Sequence, residues 1–299
     1  MKKEKEWNYG RASLGSKVFD VCNILLMLVL CFVMLYPMWY VLCASLSDPE
    51  TLATHGGAIF YPLKFSTVNY DKVLSYTPIW QGYKVTVFVV IVGTMLNLLF
   101  TSLLAYVLSR RGLMLKKLLT GLCVFTMYFS GGMIPTFMVV KAVGLYNTIW
   151  ALIIPGLIST YNMIVIRTAL QGVPDELSES ASLDGANELT IFFRILLPMI
   201  KPTLAAIALF CAVSHWNSWT GALLYIRKAE LQPLQMVVRA LLIKEKDLAD
   251  QDKHNALVEM MNQTMRYAVI IVSTVPVLCV YPFIQKYFTK GVMIGAVKG

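Results

Sequence analysis

The chain has 299 residues, of which 57% are apolar and only 14% are charged, and its formal net charge is +9. This composition and the mean hydropathy of +0.64 exclude an ordinary soluble globular domain and favour a membrane protein. The positive charge is no sign of nucleic-acid binding, because basic residues flanking membrane spans account for it.

Six apolar runs along the chain are long enough to cross a bilayer, which takes about 20 residues as a helix. They cover residues 18–43, 85–108, 118–140, 148–166, 203–226 and 267–284. The first run is far longer than the roughly 7–15 apolar residues of a secretory signal, so we interpret it as a retained span. The sequence therefore predicts an all-α membrane protein with one six-helix domain over residues 18–288.

Lysines and arginines set the expected orientation, because short cytoplasmic segments are enriched in them. They crowd two segments, one before the first span and one between the second and third: Lys2, Lys3, Lys5, Arg11 and Lys17, then Arg110, Arg111, Lys116 and Lys117. Both segments are on the same side if six spans alternate. We therefore expect cytoplasmic tails at 1–17 and 289–299.

Two of the predicted spans carry helix-breaking residues. The third contains Gly131 and Gly132 followed by Pro135, and the fourth contains Pro155 and Gly156. Prolines in membrane helices often have a purely structural role, but breaks in successive spans favour a bundle that moves or lines a path.

The spans lack the groups that would let the chain power transport by itself. Carboxylates at membrane depth are costly and mark ion-coupled carriers, and none lies away from the span ends. His215 is the one ionisable group well inside a span, and a hydrogen-bonded structural role is favoured over a proton relay. The metal-binding motif His-Glu-x-x-His, the nucleophile motif Gly-x-Ser-x-Gly and the ATP-binding phosphate loop are all missing. The sequence predicts a protein without catalytic residues, metal or cofactor, driven through another subunit.

The loop over residues 172–200, between the fourth and fifth spans, is where we expect the driving subunit to act on this chain. Pro174 suits a first helical position and predicts a helix over 174–183. Asp184 and Gly185 predict the turn that ends it. Asn187 can cap a second short helix that ends before Pro198. The loop should therefore form two helices joined by a turn on the cytoplasmic face.

This loop is acidic in a basic protein. Its carboxylates fall within one short stretch: Asp175, Glu176, Glu179, Asp184 and Glu188. A helix lying on anionic lipid would instead prefer lysine and arginine on its polar face. That interfacial helix stays open as an alternative, but the charge favours docking in a groove of another protein.

The same loop carries a family resemblance. Glu179-x-Ala181-x-x-Asp184-Gly185-Ala186, followed by Ile195-Leu-Leu-Pro198, resembles the "EAA" loop of ABC importer permeases. The segments 133–137, 144–155, 216–217 and 281–299 also resemble motifs of the carbohydrate-type permeases, similar to the smaller permease of the maltose transporter. Ser180 departs from the pattern, which has alanine there.

The resemblance implies the ABC type I importer permease fold in a bacterial cytoplasmic membrane, surrounded by lipid. It implies a second permease, two cytoplasmic ATPase subunits that hold ATP and Mg²⁺, an external solute-binding protein and a sugar. The loop residues that it assigns to ATPase coupling are Glu179, Ala181, Asp184, Gly185, Ala186 and Pro198, with Glu179 as the polar anchor. It places Lys290, Gly295 and Lys298 of the tail against the ATPases, and the external segment 227–266 against the binding protein.

Polar and aromatic residues within the spans are candidates for the sugar path, because sugars bind to aromatic faces and hydrogen-bonding side chains. They are Trp216, Asn217, Trp219, Asn162, Tyr128 and Asn97. Each is also compatible with helix packing.

We therefore expect an ATP-driven, binding-protein-dependent importer of a sugar, with an oligosaccharide favoured. In it the loop helix over 174–197 couples ATPase closure to alternating access. A membrane scaffold that recruits a partner without transport, or a passive channel, is the alternative.

Overall fold

The computed structural model describes residues 14–110, 112–248 and 264–279, which form helices joined by short connections. Within these ranges the single strand-like pairing is an isolated bridge between Ser47 and Phe65. The chain divides into two compact units, residues 1–71 with 253–271 and residues 72–252 with 272–299.

The first unit contains the long helix α1, Leu14–Ser45, and the short helix α2, Pro49–Thr54. Large apolar side chains of α1 are exposed from Val18 to Trp39. An exposed apolar surface of this length is stable in contact with lipid or with another protein. The end of α1 packs into a small core with Cys43, Leu52 and Ile59.

Asn69 joins the elements of the first unit. It lies near the start of α3, Val68–Ser75, and is fully buried. Its amide nitrogen donates to the Ser47 carbonyl at 3.4 Å, and its oxygen accepts from the Thr264 hydroxyl at 3.1 Å. Thr264 begins the last described helix, α14, Thr264–Cys279. A buried amide with both ends satisfied stabilises this junction.

The second unit is a bundle around one long helix. Its helices are α4 Thr77–Ser109, α5 Lys116–Tyr128, α6 Met133–Ala142, α7 Thr160–Gln171, α8 Asp175–Leu183, α9 Glu188–Thr190, α10 Leu197–Met199, α11 Lys201–Trp216, α12 Thr220–Tyr225 and α13 Leu234–Leu248. Three 3₁₀ turns, Ile149–Leu152, Ile154–Gly156 and Ala229–Leu231, and the π-helix Ile191–Leu196 connect them.

The core of this bundle lies where α4, α7 and α11 meet the loop after α8. Ala105 and Leu108 of α4 and Met163 of α7 are fully buried there, and so is Phe192 of the π-helix. The largest buried cluster therefore adjoins the loop that the sequence singled out.

Of the six predicted spans, two are single continuous helices in the described part of the chain, α1 and α4. Three others are bent pairs, with bends of 117° between α5 and α6, 53° between 149–156 and α7, and 86° between 188–199 and α11. The sixth run corresponds to α14. The bundle thus has the helical fold that the sequence predicts, with breaks at three places.

Two of these breaks fall where the sequence has helix-breaking residues, and the third was not predicted. The helix over 118–140 is interrupted at 129–132, where Gly132 has φ +89°, a conformation that glycine tolerates. The run over 148–166 begins as 3₁₀ turns, since Pro155 removes a backbone donor. The helix over 203–226 ends at Trp216, and α12 is separate.

Candidate functional site

Helix α8 begins one residue later than the sequence predicts. Pro174 precedes the helix with φ −58° and ψ 132°, and Asp175 is the first helical residue. Asp175 and Glu176 occupy the first turn, where carboxylates are stabilised by the positive end of the helix dipole. The fixed φ of proline and the two acids thus define this start.

Gly185 ends α8 as predicted. Its φ is +84°, and two hydrogen bonds close the helix: Gly185 N–H to the Ser182 carbonyl at 3.1 Å and Ala186 N–H to the Ala181 carbonyl at 2.9 Å. This pattern is a Schellman motif, in which a left-handed residue satisfies the last helical carbonyls. Asp184 is the exposed residue before it.

Asn187 starts the second helical run, also as predicted. Its side-chain oxygen accepts from Thr190 N–H at 2.8 Å. The run then continues to Met199, so the prediction that it ends before Pro198 is wrong. A π-helical register over Ile191–Leu196 precedes the exposed Pro198, which has no N–H to donate and whose ring crowds the carbonyl four residues earlier. The wider turn is compatible with that crowding.

The small residues of the loop pack on the chain itself. Ser178 is buried, and Ala181 and Ala186 are half-buried against the core around Phe192. Glu179 is exposed. Leu177, Leu183 and Leu189 are also exposed, Leu183 by 89%. The exposed surface of the loop therefore combines carboxylates, Glu179 and Asp184 among them, with leucines that are largely uncovered within the described residues.

An open cleft of about 920 Å³ adjoins this surface. It is bounded by the end of α4, the end of α7 and one side of α8, and its lining includes Glu179, Ser182 and Lys116. Because it combines acidic, basic and apolar groups, it is suited to a protein side chain more than to a small apolar ligand.

A charged contact joins the loop to α4 at this cleft. Arg110 Nη2 donates to Glu188 Oε2 at 2.6 Å, the Tyr106 hydroxyl donates to the same oxygen, and the guanidinium lies 4.9 Å from the Tyr106 ring centre. The hydrogen bond from Arg110, followed by that from Tyr106, lowers the pKa of Glu188. We call Glu188, Arg110 and Tyr106 the latch. Glu188 belongs to the acidic stretch, but its partners are about 80 positions away along the chain, and no local pattern predicts them.

Lys116 completes this end of α4. Its ammonium donates to the carbonyls of Ser109 at 3.0 Å and Arg110 at 2.9 Å. A cation at a helix C-terminus satisfies free carbonyls and the negative end of the dipole. The basic segment read as an orientation signal thus also fixes the helix end that holds the latch.

Of the predicted sugar-path residues, Asn97 is buried and makes hydrogen bonds that hold the helices together. It is 5% exposed, and its amide nitrogen donates to the carbonyls of Gly156 and Leu157, both at 2.8 Å. Its oxygen accepts from His215 Nε2 at 2.7 Å. The side chain thus supplies partners for backbone exposed by the break near Pro155, as irregular backbone at membrane depth requires. His215 has the hydrogen-bonded role favoured from the sequence.

Other predicted path residues lie apart, each with its own surroundings. Asn162 is buried, with its amide 3.6 Å from Cys211 Sγ, and Tyr128 is 85% exposed at the end of α5. Asn217 is exposed and donates to the Val213 carbonyl at 3.0 Å. No shared hydrogen-bond network joins these residues in the described ranges.

The two tryptophans lie at the end of α11. Trp216 makes an edge-on contact with Tyr83 of α4, with ring centres 6.3 Å apart. Trp219 is 37% exposed, and the Arg239 guanidinium of α13 lies 3.6 Å from its ring centre. Sequence reasoning did not single out Arg239, because nothing local ties it to Trp219.

Helix α13 is fixed to the outer part of α4. The Thr86 hydroxyl accepts from Leu234 N–H at 2.8 Å and so satisfies a free donor at the start of α13. Gly82 permits the approach, since a Cβ there would lie 3.0 Å from Leu234 Cα. Thr86 and Arg110 are 24 positions apart on one helix, which is about 36 Å. Trp216 and Trp219 on one side and the acidic loop on the other therefore lie at opposite ends of α4.

No group of three or more histidine, cysteine or acidic residues suited to a metal occurs in the described ranges. The predicted tail residues Lys290, Gly295 and Lys298 fall outside those ranges, as do residues 249–263 of the segment 227–266 that is expected to contact the binding protein.

A bundle of apolar helices with three broken spans and an exposed acidic loop at one end is typical of a transport permease. The sequence profile of one family, described as "Binding-protein-dependent transport system inner membrane component", matches residues 9–294. The chain belongs to this family, and it is a permease component, not an enzyme.

Relatives and a solved structure agree with this assignment. The chain is 40% identical over 96% of its length to the whole of the polygalacturonan/rhamnogalacturonan transport system permease protein YtcP of Bacillus subtilis (strain 168). It is 42% identical to protein LplC of the same organism, over 95% of this chain and 96% of that protein. A chain of a bacterial ABC transporter involved in the import of the acidic polysaccharide alginate superposes with a TM-score of 0.84 at 30% identity, covering 92% of this chain and 98% of that one.

Proposed function

We propose that this chain is the permease subunit of an ATP-driven importer of oligosaccharides in a bacterial cytoplasmic membrane. It pairs with a second, different permease and with two cytoplasmic ATPase subunits that bind ATP and Mg²⁺. An external binding protein delivers the sugar. The names of the relatives support a substrate derived from polysaccharides.

The exposed face of α8 is the observation that supports ATP-driven coupling. Glu179 and Leu183, one helical turn apart, are exposed, while Ser178 is buried and Ala181 packs against the core of the bundle. A short helix fixed on one side and open on the other transmits a push as a rigid lever. ATPase closure would therefore displace α8 together with the helices that it contacts.

Three helices receive this displacement. The chain runs from α7 into α8 and from α10 into α11, so both flanking helices are joined to the loop directly. The latch adds α4, which the sequence had not included in the moving set. Movement of all three together is a rigid-body route from an inward-open to an outward-open path.

The tryptophans remain the best proposed sugar contacts of this subunit. Asn97 already has three hydrogen-bond partners, and Asn162 is buried against Cys211. Trp216, Asn217 and Trp219 lie at the end of the bundle away from α8. The tail residues Lys290, Gly295 and Lys298 are proposed to reach the ATPases.

Two substitutions in the loop test this function in the assembled transporter. Glu179→Lys reverses the proposed anchor charge, and Gly185→Val forces a β-branched residue into a left-handed conformation, at about 1–2 kcal/mol. Both should reduce sugar uptake and co-purification of the ATPase subunits. Gly185→Asn is the matched control, since asparagine tolerates this conformation and should retain most activity.

The control for charge is Glu230→Lys, in the turn Ala229–Leu231 away from α8, which should leave ATPase co-purification unchanged. If both loop variants assemble and take up sugar like the parent, the loop is not the coupling element. A parent chain that binds no ATPase subunits, with sugar uptake unchanged in both loop variants, would favour the scaffold alternative.

A further inference from the structure

Arg239 lacks the partners that a partly buried arginine usually has. Its Nη1 is shielded from solvent without a hydrogen-bond partner, and its one recorded contact in the described ranges is the ring of Trp219. The nearest charged residue along α13 is Lys244, five positions later, so α13 places no carboxylate within four positions of Arg239. A shielded, unpaired donor is costly unless an acceptor from elsewhere completes it.

The chemistry of Arg239 and Trp219 indicates which kind of acceptor would complete the contact. A guanidinium presents a planar fork of N–H donors that matches a carboxylate with two parallel hydrogen bonds. Stacking on Trp219 orients the fork and reduces the freedom lost on binding. The tryptophan is itself 37% exposed, so it offers apolar surface beside the charge. A rigid cation beside an exposed aromatic ring suits a sugar that carries a carboxylate.

The position of the pair fits contact with arriving substrate. Trp219 follows the end of α11, a helix of 16 residues or about 24 Å that starts next to the acidic loop. Arg239 lies on α13, which is anchored to α4 through Thr86 and Gly82. The pair is therefore held by two helices at the end of the bundle opposite the ATPase surface.

We propose that Arg239, held on Trp219, binds the carboxylate of an acidic oligosaccharide as it enters the permease, and so selects uronate-containing sugars. This inference rests on the proposed importer function and names its substrate class and one specificity residue. Neutral sugars of the same size would leave the guanidinium unpaired and would gain nothing from it.

The experiment uses the complete transporter, with its partner permease, ATPases and binding protein, reconstituted in liposomes. Uptake is measured for trigalacturonate and for its fully methyl-esterified, neutral counterpart. Arg239→Gln should lower trigalacturonate uptake by about tenfold or more, because a charge-assisted pair is lost, while ester uptake changes by less than about twofold. Arg239→Lys keeps the charge but loses the fork, and should give an intermediate loss.

Lys141→Gln is the matched control, because it removes one exposed positive charge from the last turn of α6, outside the segment expected to contact the binding protein. It should leave both uptakes unchanged. The proposal is overturned if Arg239→Gln lowers uptake of both probes equally, if it leaves trigalacturonate uptake intact, if Lys141→Gln has the same effect, or if the parent transports the ester alone. Absence of ATP-dependent uptake of either probe by the parent contradicts the oligosaccharide importer itself.

Discussion

At the scale of single residues, Glu188 connects the loop to the bundle. One of its carboxylate oxygens accepts from both Arg110 and Tyr106, and Arg110 is also close to the Tyr106 ring. The side chains of Glu188 and Arg110 are 67% and 33% exposed, so solvent screens much of their attraction. The latch therefore serves more to fix the position of the loop on α4 than to stabilise the fold.

A double-mutant cycle measures this contact. Glu188→Gln, Arg110→Gln and the double variant should give a coupling free energy of about 1 kcal/mol or less from unfolding midpoints at pH 7. The pKa of Glu188 is lowered by Arg110, so its contribution is present above the ordinary carboxyl pKa of about 4.3 and is lost as pH falls through the lower folded value. The coupling should thus be equal at pH 7 and pH 6. A coupling that is already lost at pH 6 would contradict the charged latch.

The residues that sequence reasoning identified correctly are those whose signal is local. Gly185 and Asn187 each act within five residues, through a left-handed turn and a side-chain cap. Glu188 and Arg110 are 78 positions apart, and no spacing rule joins them. Asn97 was chosen as a polar residue inside a span, and its partners on the broken fourth span and on α11 are visible only in three dimensions.

At the scale of helices, hydropathy located the spans but not their continuity. Apolar character sets which segments can lie in a bilayer, whereas a bend depends on whether neighbours satisfy the freed backbone groups. Gly132 and Pro155 marked two of the breaks. The third, between α10 and α11 at Ile200, carries no such residue at the bend itself, although Pro198 and Pro202 flank it. Its 86° turn redirects the chain from the loop into the bundle.

The contact between α4 and α13 gives the prediction at this scale. At Gly82 a Cβ would lie 3.0 Å from Leu234 Cα and 3.1 Å from Leu234 N, which are backbone atoms that cannot move aside. Gly82→Ala should therefore destabilise the unit by about 1–3 kcal/mol and loosen α13, measured by thermal unfolding and by protease cleavage within 234–243. A loss of stability would indicate steric crowding at Gly82, because alanine otherwise favours a helix over glycine by about 0.5–1 kcal/mol.

Gly221→Ala is the matched control for that experiment. Gly221 also lies in a helix, and a Cβ there would meet Leu152 and Ser218 side-chain atoms at 3.8 Å, which is ordinary contact. The variant should be neutral or slightly stabilised. Equal behaviour of the two alanine variants would mean that close packing at Gly82 does not hold α13.

At the scale of the whole molecule, the bundle has two chemically distinct ends. Acidic Glu179 and the exposed leucines lie at the α8 end, and Trp219 with Arg239 lies at the other. The helices between them, α4 above all, expose apolar side chains such as Ile91 and Met95 to surroundings that the chain does not provide. The proposed function requires that the membrane lies between these ends, with α8 in the cytoplasm.

This orientation is tested by single cysteines in a cysteine-free version, in which all six native cysteines are replaced. Both Glu179 and Lys228 are exposed, so neither substitution disturbs the core. A membrane-impermeant maleimide should label Lys228→Cys but not Glu179→Cys in intact spheroplasts, because a bundle of helices about 24–36 Å long separates them. Inside-out vesicles should show the reverse, and both sites should react after detergent. Labelling of both sites from one side would contradict the membrane-spanning arrangement, and reversed labelling would place α8 outside, where no ATPase could reach it.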